Sequence, residues 1–214
     1  MKLGKYELNK LYLGDCLDLM KDIPDNSIDL VLTDPPYGIT NEKWDIVPKQ
    51  EYFNEIFRIS KNQLIFGGQF FNLPKKEGWI IWYRKAYWLK KQFTRATINE
   101  AELIWISKNI KTKVIEYHSL GNIEGFRGEK LKPNYKKPKA IYTSQKPVRL
   151  IKYIIETFFE EAQIILDPFI GSGTTAIACK ILNRRYLGFE MNKKYIEIAK
   201  ARLKAVKEVQ DKLF

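Results

Sequence analysis

The chain has 214 residues, 45% of them hydrophobic, and carries +12 at neutral pH from 37 Lys and Arg against 25 Asp and Glu. That length supports one α/β domain plus a small insertion, and the charge points to a polyanionic partner, nucleic acid or a membrane surface. Two cysteines are too few for a disulfide framework, and a lone His118 argues against a zinc site or a Ser-His-Asp triad. No metal site is expected. The N-terminus lacks an apolar signal core and no apolar run is long enough to span a membrane, so a cytoplasmic location is expected.

In chain order, Leu11 to Leu13 reads as a short strand. Asp15 follows as a helix N-cap, with a brief helix from Leu17 to Lys21. Ile28 to Leu32 is an apolar run that reads as a buried strand. It ends at Thr33-Asp34-Pro35-Pro36-Tyr37-Gly38-Ile39. The edge where strands leave an open α/β sheet is where ligands bind. Two prolines stiffen this turn, and their carbonyls remain acceptors. Asp34 adds a further acceptor and Tyr37 a flat ring, which together suit a planar group carrying an exocyclic amine. A plain proline turn capped by an aspartate is the alternative.

Gly38 to Pro48 reads as a loop beside this site, and Gln50 to Ile59 as a helix with Phe53, Ile56 and Phe57 on one side. Gln63 to Phe66 is a strand ending at Gly67-Gly68, where backbone can approach a ligand closely. Gly78 to Tyr83 and Glu102 to Ser107 are further strands. Two basic stretches are candidate nucleic-acid contacts. Arg84, Lys85, Lys90, Lys91 and Arg95 lie among Tyr87, Trp88 and Phe93. Arg127, Lys130, Lys132, Lys136 and Lys137 surround Tyr135 in a segment punctuated by Gly and Pro, expected to be a long loop or small subdomain. Basic residues interleaved with aromatics suit phosphate contact and base stacking. His118 reads as a loop residue without a role.

Pro147 opens a helix with Leu150, Ile151, Ile154, Ile155 and Phe158 on one face. Gln163 to Leu166 is a strand, followed by Asp167-Pro168-Phe169-Ile170-Gly171-Ser172-Gly173-Thr174-Thr175 and a helix from Ala176. Arg185 to Phe189 is the next strand and ends at Glu190. A closing helix buries Tyr195, Ile196, Ala199, Leu203 and Val206. Glycines at 171 and 173 let a ligand press against N–H groups at a helix N-terminus, and Glu190 can accept both hydroxyls of a ribose. This is a nucleoside-binding unit. It lacks the third glycine of the dinucleotide fingerprint and the lysine of a P-loop.

A site for ribose and an amino-acid tail beside a site for a planar amine suits S-adenosylmethionine (AdoMet) and a nucleobase. Asp34-Pro35-Pro36-Tyr37 together with Asp167 to Thr175 resembles the amino-group DNA methyltransferases, in which DPPY is the catalytic motif and FxGxG the AdoMet motif. The catalytic motif comes first, then a basic insertion, then the AdoMet motif, an order similar to the circularly permuted β group. The resemblance covers most of the chain.

It implies a Rossmann-like AdoMet-dependent methyltransferase fold, α/β and circularly permuted. The sheet would be mixed, mostly parallel and seven-stranded, with strands 163–166, 185–189 and 11–13 as its first three. Residues 1–214 would form one methyltransferase domain, with 108–143 an inserted target-recognition region. The catalytic residues implied are Asp34, Pro35, Pro36 and Tyr37. Asp34 and the Pro35 carbonyl would hold the amine, and Tyr37 would stack on the flipped base. The AdoMet contacts implied are Asp15 and Cys16 near the adenine, Lys146 near the methionine carboxylate, and Asp167, Pro168, Phe169, Gly171, Ser172, Gly173 and Thr174 along the turn. Asp34, Glu190 and Met191 complete that set. Trp44 and Asp45 would belong to a loop closing over the base.

The activity implied is methyl transfer to adenine N6 in double-stranded DNA by base flipping. An initial Asp in the tetrapeptide leans toward adenine and Ser toward cytosine N4. Cytosine N4 is the alternative, with RNA or protein glutamine a further one. The partners implied are double-stranded DNA and no membrane, in a monomer or homodimer, with a cognate restriction endonuclease left open.

Overall fold

The computed structural model describes residues 1–84, 100–120, 123–126 and 145–210. The strands are β1 (Lys2–Leu3), β2 (Tyr6–Glu7), β3 (Lys10–Leu13), β4 (Ile28–Thr33), β5 (Ser60–Phe66), β6 (Ile80–Tyr83), β7 (Ala101–Ile106), β8 (Lys113–Leu120), β9 (Ile123–Phe126), β10 (Ile164–Asp167) and β11 (Arg185–Glu190). The helices are α1 (Cys16–Met20), α2 (Gln50–Ile59), α3 (Val148–Phe158), α4 (Thr174–Ile181) and α5 (Lys193–Gln210). β1 and β2 form a small hairpin.

Nine strands form the main sheet, in the order β3-β11-β10-β4-β5-β7-β6-β8-β9. The first five are parallel neighbours, β7 runs antiparallel to both β5 and β6, and β6 pairs parallel with β8. The fold is therefore the expected Rossmann-like α/β sheet, mixed and mostly parallel through its core. Among the described residues it has nine strands rather than seven, because the described part of the 108–143 segment continues the sheet as β8 and β9. His118, read as a loop residue, lies in β8 opposite Gly125 of β9. The permutation is visible in the order β10, β11, β3: the last two core strands of the chain are followed in space by one near its start.

Both faces of the sheet are covered. Leu30, Leu32, Leu64 and Ile165 pack with Leu150, Ile151, Ile154 and Ile155 of α3 and with the buried side of α4. Val31, Ile65, Leu166 and Leu187 pack on the other face with Met20 of α1 and with Phe53, Ile56 and Ile59 of α2. Burial on two faces is why these strands read as unbroken apolar runs rather than alternating ones. β4 and β10 lie side by side near the middle of the sheet, so their carboxyl ends open into the same crevice. Among the described residues no helix is long and apolar enough to cross a membrane. No group of three or more His, Cys, Asp or Glu is placed to hold a metal ion among those residues either.

Candidate active site

One cavity of about 1160 Å³ joins the two sequence motifs. Asp34, Pro35, Pro36 and Tyr37 line it from the end of β4, and Asp167 to Ser172, with Thr174, line it from the end of β10. Drug-sized ligands usually occupy some 300–1,000 Å³, so the space suits a cofactor together with part of a second molecule.

In the catalytic half, Tyr37 Oη lies 2.5 Å from Asp34 Oδ1 and 2.7 Å from Glu102 Oε1. Lys146 Nζ lies 2.5 Å from Asp34 Oδ2 and 3.2 Å from Glu102 Oε1. Arg84 Nη1 is 3.7 Å from Glu102 Oε2, and its guanidinium sits 5.1 Å over the Trp82 ring. Burial and the charge of Glu102 push Asp34 above the usual carboxylate range, against the pull of Lys146 and the Tyr37 hydroxyl. Burial acts downward on Lys146, but Asp34 and Glu102 outweigh it and hold the ammonium above its ordinary value. Tyr37 is raised strongly by burial and by the two carboxylates, so it stays a phenol.

The Tyr37 ring rests on Gly67, which has φ +63; a Cβ there would sit 2.3 Å from the ring. Of the glycine pair, Gly67 thus makes its close approach to Tyr37, and Gly68 makes its own to Trp105. Phe70 stacks on Tyr37 with centroids 5.0 Å apart and planes 22° apart.

In the other half, Glu190 ends β11 and accepts from Gly171 N–H at 3.0 Å and Asn192 N–H at 2.8 Å. Burial pushes its carboxyl up, with those N–H groups opposing. Asp167 accepts from the Thr33 and Thr175 hydroxyls and from Phe169 N–H, which ties the two motifs together. Burial pushes it up to about 7 against these three donors. Gly171 has φ +51, and a Cβ there would meet nothing nearer than 3.9 Å, so the turn leaves room above its backbone. Gly173 has φ +86 but faces inward, where a Cβ would lie 2.7 Å from that of Ala199 on α5.

Asp15 caps α1 through Leu17 N–H and accepts from Tyr52 Oη at 2.9 Å. Cys16 is buried behind it, and Tyr52 and Phe169 have ring centroids 6.0 Å apart across the cavity wall. Met191 is exposed at the rim. These donors and acceptors fit AdoMet: a half-buried carboxylate for ribose hydroxyls, an open glycine turn for the amino-acid tail, and aromatic walls for the adenine.

The family described as DNA methylase, N6_N4_Mtase, matches residues 59–201, well over half of the chain. The chain belongs to this family. It is an AdoMet-dependent DNA methyltransferase of the N6/N4 group. The Type II methyltransferase M.BglII of Bacillus subtilis is 29% identical, over 91% of this chain and 69% of its own length. M.HinfI of Haemophilus influenzae is 27% identical, over 94% and 69%. Among solved structures, the M1.HpyAVI–SAM complex matches with TM-score 0.58 at 25% identity, over 91% of this chain and 99% of that one. The cytosine-N4-specific PvuII DNA methyltransferase shares the fold, with TM-score 0.60 at 15% identity over 98% and 95%.

The matched region begins after Asp34, which leaves the corner from Asp34 to Tyr37 to its own geometry. Asp45 dominates that geometry. Its Oδ1 accepts from Tyr37 and Gly38 N–H at 2.9 Å each, and its Oδ2 from Ile39 N–H, Thr40 N–H and the Thr40 hydroxyl at 2.7–2.9 Å. Burial pushes this carboxyl up, but the donors outweigh it and hold it below the usual range. The staple therefore persists above the ordinary carboxylate pKa and is lost as pH falls through its depressed value. Asp45→Asn trades an acceptor for a donor facing N–H groups. Its kcat for methyl transfer is expected to fall about 10- to 100-fold while the AdoMet Kd stays within twofold; stopped assays and calorimetric titration check both.

Several site residues escaped sequence reasoning. Glu102 is one, although a lone acid in an otherwise apolar strand (Ala101-Glu102-Leu103-Ile104-Trp105-Ile106) was a visible signal. Arg202 of α5 is another. Its Nη1 donates to the Ser172 carbonyl at 2.6 Å and to Ser172 Oγ at 2.9 Å, tying down the glycine turn. Its spacing from Ala199 puts it on the buried side of α5, where an arginine needs a reason. Lys146, expected beside the cofactor carboxylate, is engaged with Asp34 and Glu102 instead. It is the neighbouring Gln145 that meets Ser172, whose hydroxyl donates to Oε1 at 3.4 Å. Of the basic residues expected on DNA, Arg84 faces Glu102 inside the cavity. Lys85, Lys90, Lys91, Arg95, Arg127, Lys130, Lys132, Lys136 and Lys137 lie outside the described residues.

Proposed function

We propose that this methylase transfers a methyl group from AdoMet to the N6 amine of adenine in double-stranded DNA, at a specific sequence and on a base turned out of the duplex. The observation that carries this reading is the meeting of Asp34, Pro35 and Tyr37 with Gly171, Ser172 and Glu190 in one cavity. When bound, AdoMet supplies an electrophilic methyl group on a sulfonium.

An exocyclic amine is a poor nucleophile because its lone pair is delocalised into the ring. Asp34 and the Pro35 carbonyl accept its two N–H bonds, which favours pyramidal nitrogen and returns the lone pair to it. Positioning and preorganised electrostatics supply most of the acceleration. Tyr37 offers a ring to the extruded base and recovers part of the unstacking cost of a few kcal/mol. Asp34 is also the nearest carboxylate to receive the amine proton once the new N–C bond has formed.

On the cofactor side, Glu190 holds the ribose hydroxyls, Asp15 and Cys16 flank the adenine end, and Phe169, Gly171, Ser172 and Thr174 take the methionine part, with Asp167, Pro168 and Met191 alongside; Gly173, expected in that set, packs inward on Ala199 instead. The aspartate that opens the tetrapeptide supports adenine over cytosine. We read 1–214 as one methyltransferase domain and 108–143, with the basic residues on either side, as the part that reads DNA. The Type II names of M.BglII and M.HinfI support site-specific action within a restriction–modification pair.

The test is to incubate the chain with unmethylated duplex DNA and isotopically labelled AdoMet, then digest the DNA to nucleosides for mass spectrometry. N6-methyl-2′-deoxyadenosine is the expected product. N4-methylcytosine alone would overturn the adenine assignment, and unlabelled DNA would overturn the whole reading.

A further inference from the structure

Both oxygens of Asp34 are taken in this structure. Oδ1 faces the Tyr37 hydroxyl at 2.5 Å and Oδ2 faces the Lys146 ammonium at 2.5 Å. A carboxylate so engaged is a poor acceptor for an incoming amine. For the amine to reach it, Lys146 must let go of Oδ2. In a buried pocket an ammonium cannot simply be released, because an unpaired buried charge is strongly unfavourable.

Glu102 is built to receive it. Its Oε1 already lies 3.2 Å from the same Nζ and 2.7 Å from the Tyr37 hydroxyl, and its side chain is only 10% exposed. A phenol carries one proton, so Tyr37 can donate to Asp34 or to Glu102, but not to both. β7 fixes Glu102 opposite Trp82 of β6, and Arg84, two residues further on, stands 3.7 Å from its other oxygen. Two carboxylates and two cations balance, so a neutral amine can enter without changing the net charge of the pocket.

We propose that Glu102 is a positioning residue that draws Lys146 off Asp34 when the target amine binds. It rests on the reading of Asp34 as the amine acceptor, and it holds for either base. In the base-free protein Lys146 stands in for the amine on Asp34; in the working complex it pairs with Glu102 and leaves Oδ2 open. Glu102 acts only through Lys146 and Tyr37. No covalent step is assigned to it.

The test is a double-mutant cycle on the full chain, read as methyl transfer to duplex DNA and as AdoMet binding. Glu102→Gln keeps the shape and the acceptor for Tyr37 but loses the charge, so Lys146 stays on Asp34. The kcat is expected to fall 10- to 100-fold, with the AdoMet Kd and the unfolding midpoint near those of the parent chain. Glu102→Asp, which keeps the charge, recovers most of that loss. Adding Lys146→Met to Glu102→Gln removes the competing ammonium and raises kcat at least fivefold over Glu102→Gln alone. A Glu102→Gln enzyme within twofold of the parent chain overturns the proposal. So does a double variant no faster than Glu102→Gln, since Glu102 would then act by some route other than Lys146. A parent chain that methylates no DNA overturns the functional reading and this proposal with it, whereas an active parent with an indifferent Glu102 overturns this proposal alone.

Discussion

Asp34→Ala is expected to lower kcat for methyl transfer by about 10³-fold or more and to leave AdoMet binding within a few-fold of the parent chain. The size follows from the loss of a preorganised charged acceptor in a half-buried site, where removing one such group commonly costs about 10²–10³ in rate, and here the amine proton loses an acceptor as well. The split between rate and affinity follows from the geometry. Asp34 meets Tyr37 and Lys146, whereas the glycine turn is held by Glu190 and Arg202. The fold should survive. Burial raises the Asp34 carboxyl, so its charged form is a cost to the folded state, and after its removal Lys146 and Tyr37 both keep Glu102 as a partner. Single-turnover assays with labelled AdoMet, beside titration of the cofactor, check both halves. An Asp34→Ala enzyme with parental kcat would remove the carboxylate from the mechanism.

The second large effect belongs to the glycine turn, where two neighbouring positions should fail differently. Gly173→Ala puts a Cβ 2.7 Å from Ala199 Cβ and 3.2 Å from its Cα, at φ +86. The left-handed backbone costs about 1–2 kcal/mol, and overpacking against a backbone that cannot swing away adds roughly 1–3 kcal/mol. The unfolding free energy should drop by about 2–5 kcal/mol, and AdoMet binding should be lost as α5 shifts and carries Arg202 off the turn. Gly171→Ala has the strain of φ +51 but no collision nearer than 3.9 Å. It should cost the fold only about 1 kcal/mol while its methyl group enters the space above the turn and weakens AdoMet by 10-fold or more. Urea unfolding with and without AdoMet separates the two. Equal destabilisation by both variants would contradict the inward and outward roles assigned to these glycines.

Much of this site is local in sequence. An apolar run that stops at Asp34-Pro35-Pro36-Tyr37, and another that stops at Asp167 before a glycine turn, are strand ends with their ligand groups attached. Any parallel sheet that places β4 beside β10 brings them together. Helix α2 matched its predicted span from Gln50 to Ile59, and Asp15 caps α1 as its sequence position suggested. Beyond that, the chemistry depends on register. Glu102 reaches Tyr37 only because β7 runs antiparallel beside β5 and β6, and nothing within 101–106 states that pairing. Asp45 looks like one more loop acid until the chain folds back and presents five donors to it. Lys146 was expected at the cofactor carboxylate, and in the structure it pairs with Asp34 and Glu102, both distant from it in the chain.

Both motifs and their order along the chain are legible locally, because strand patterning and turn chemistry are short-range, and the resemblance they carry implied the permuted arrangement. How Asp34 is occupied, which acid faces it and what holds the two turns still follow instead from the packed sheet. Those are contacts between residues such as Asp34 and Lys146, or Ser172 and Arg202, that are distant in the chain. Their energies come from burial and charge, and both exist only once the sheet has closed the pocket.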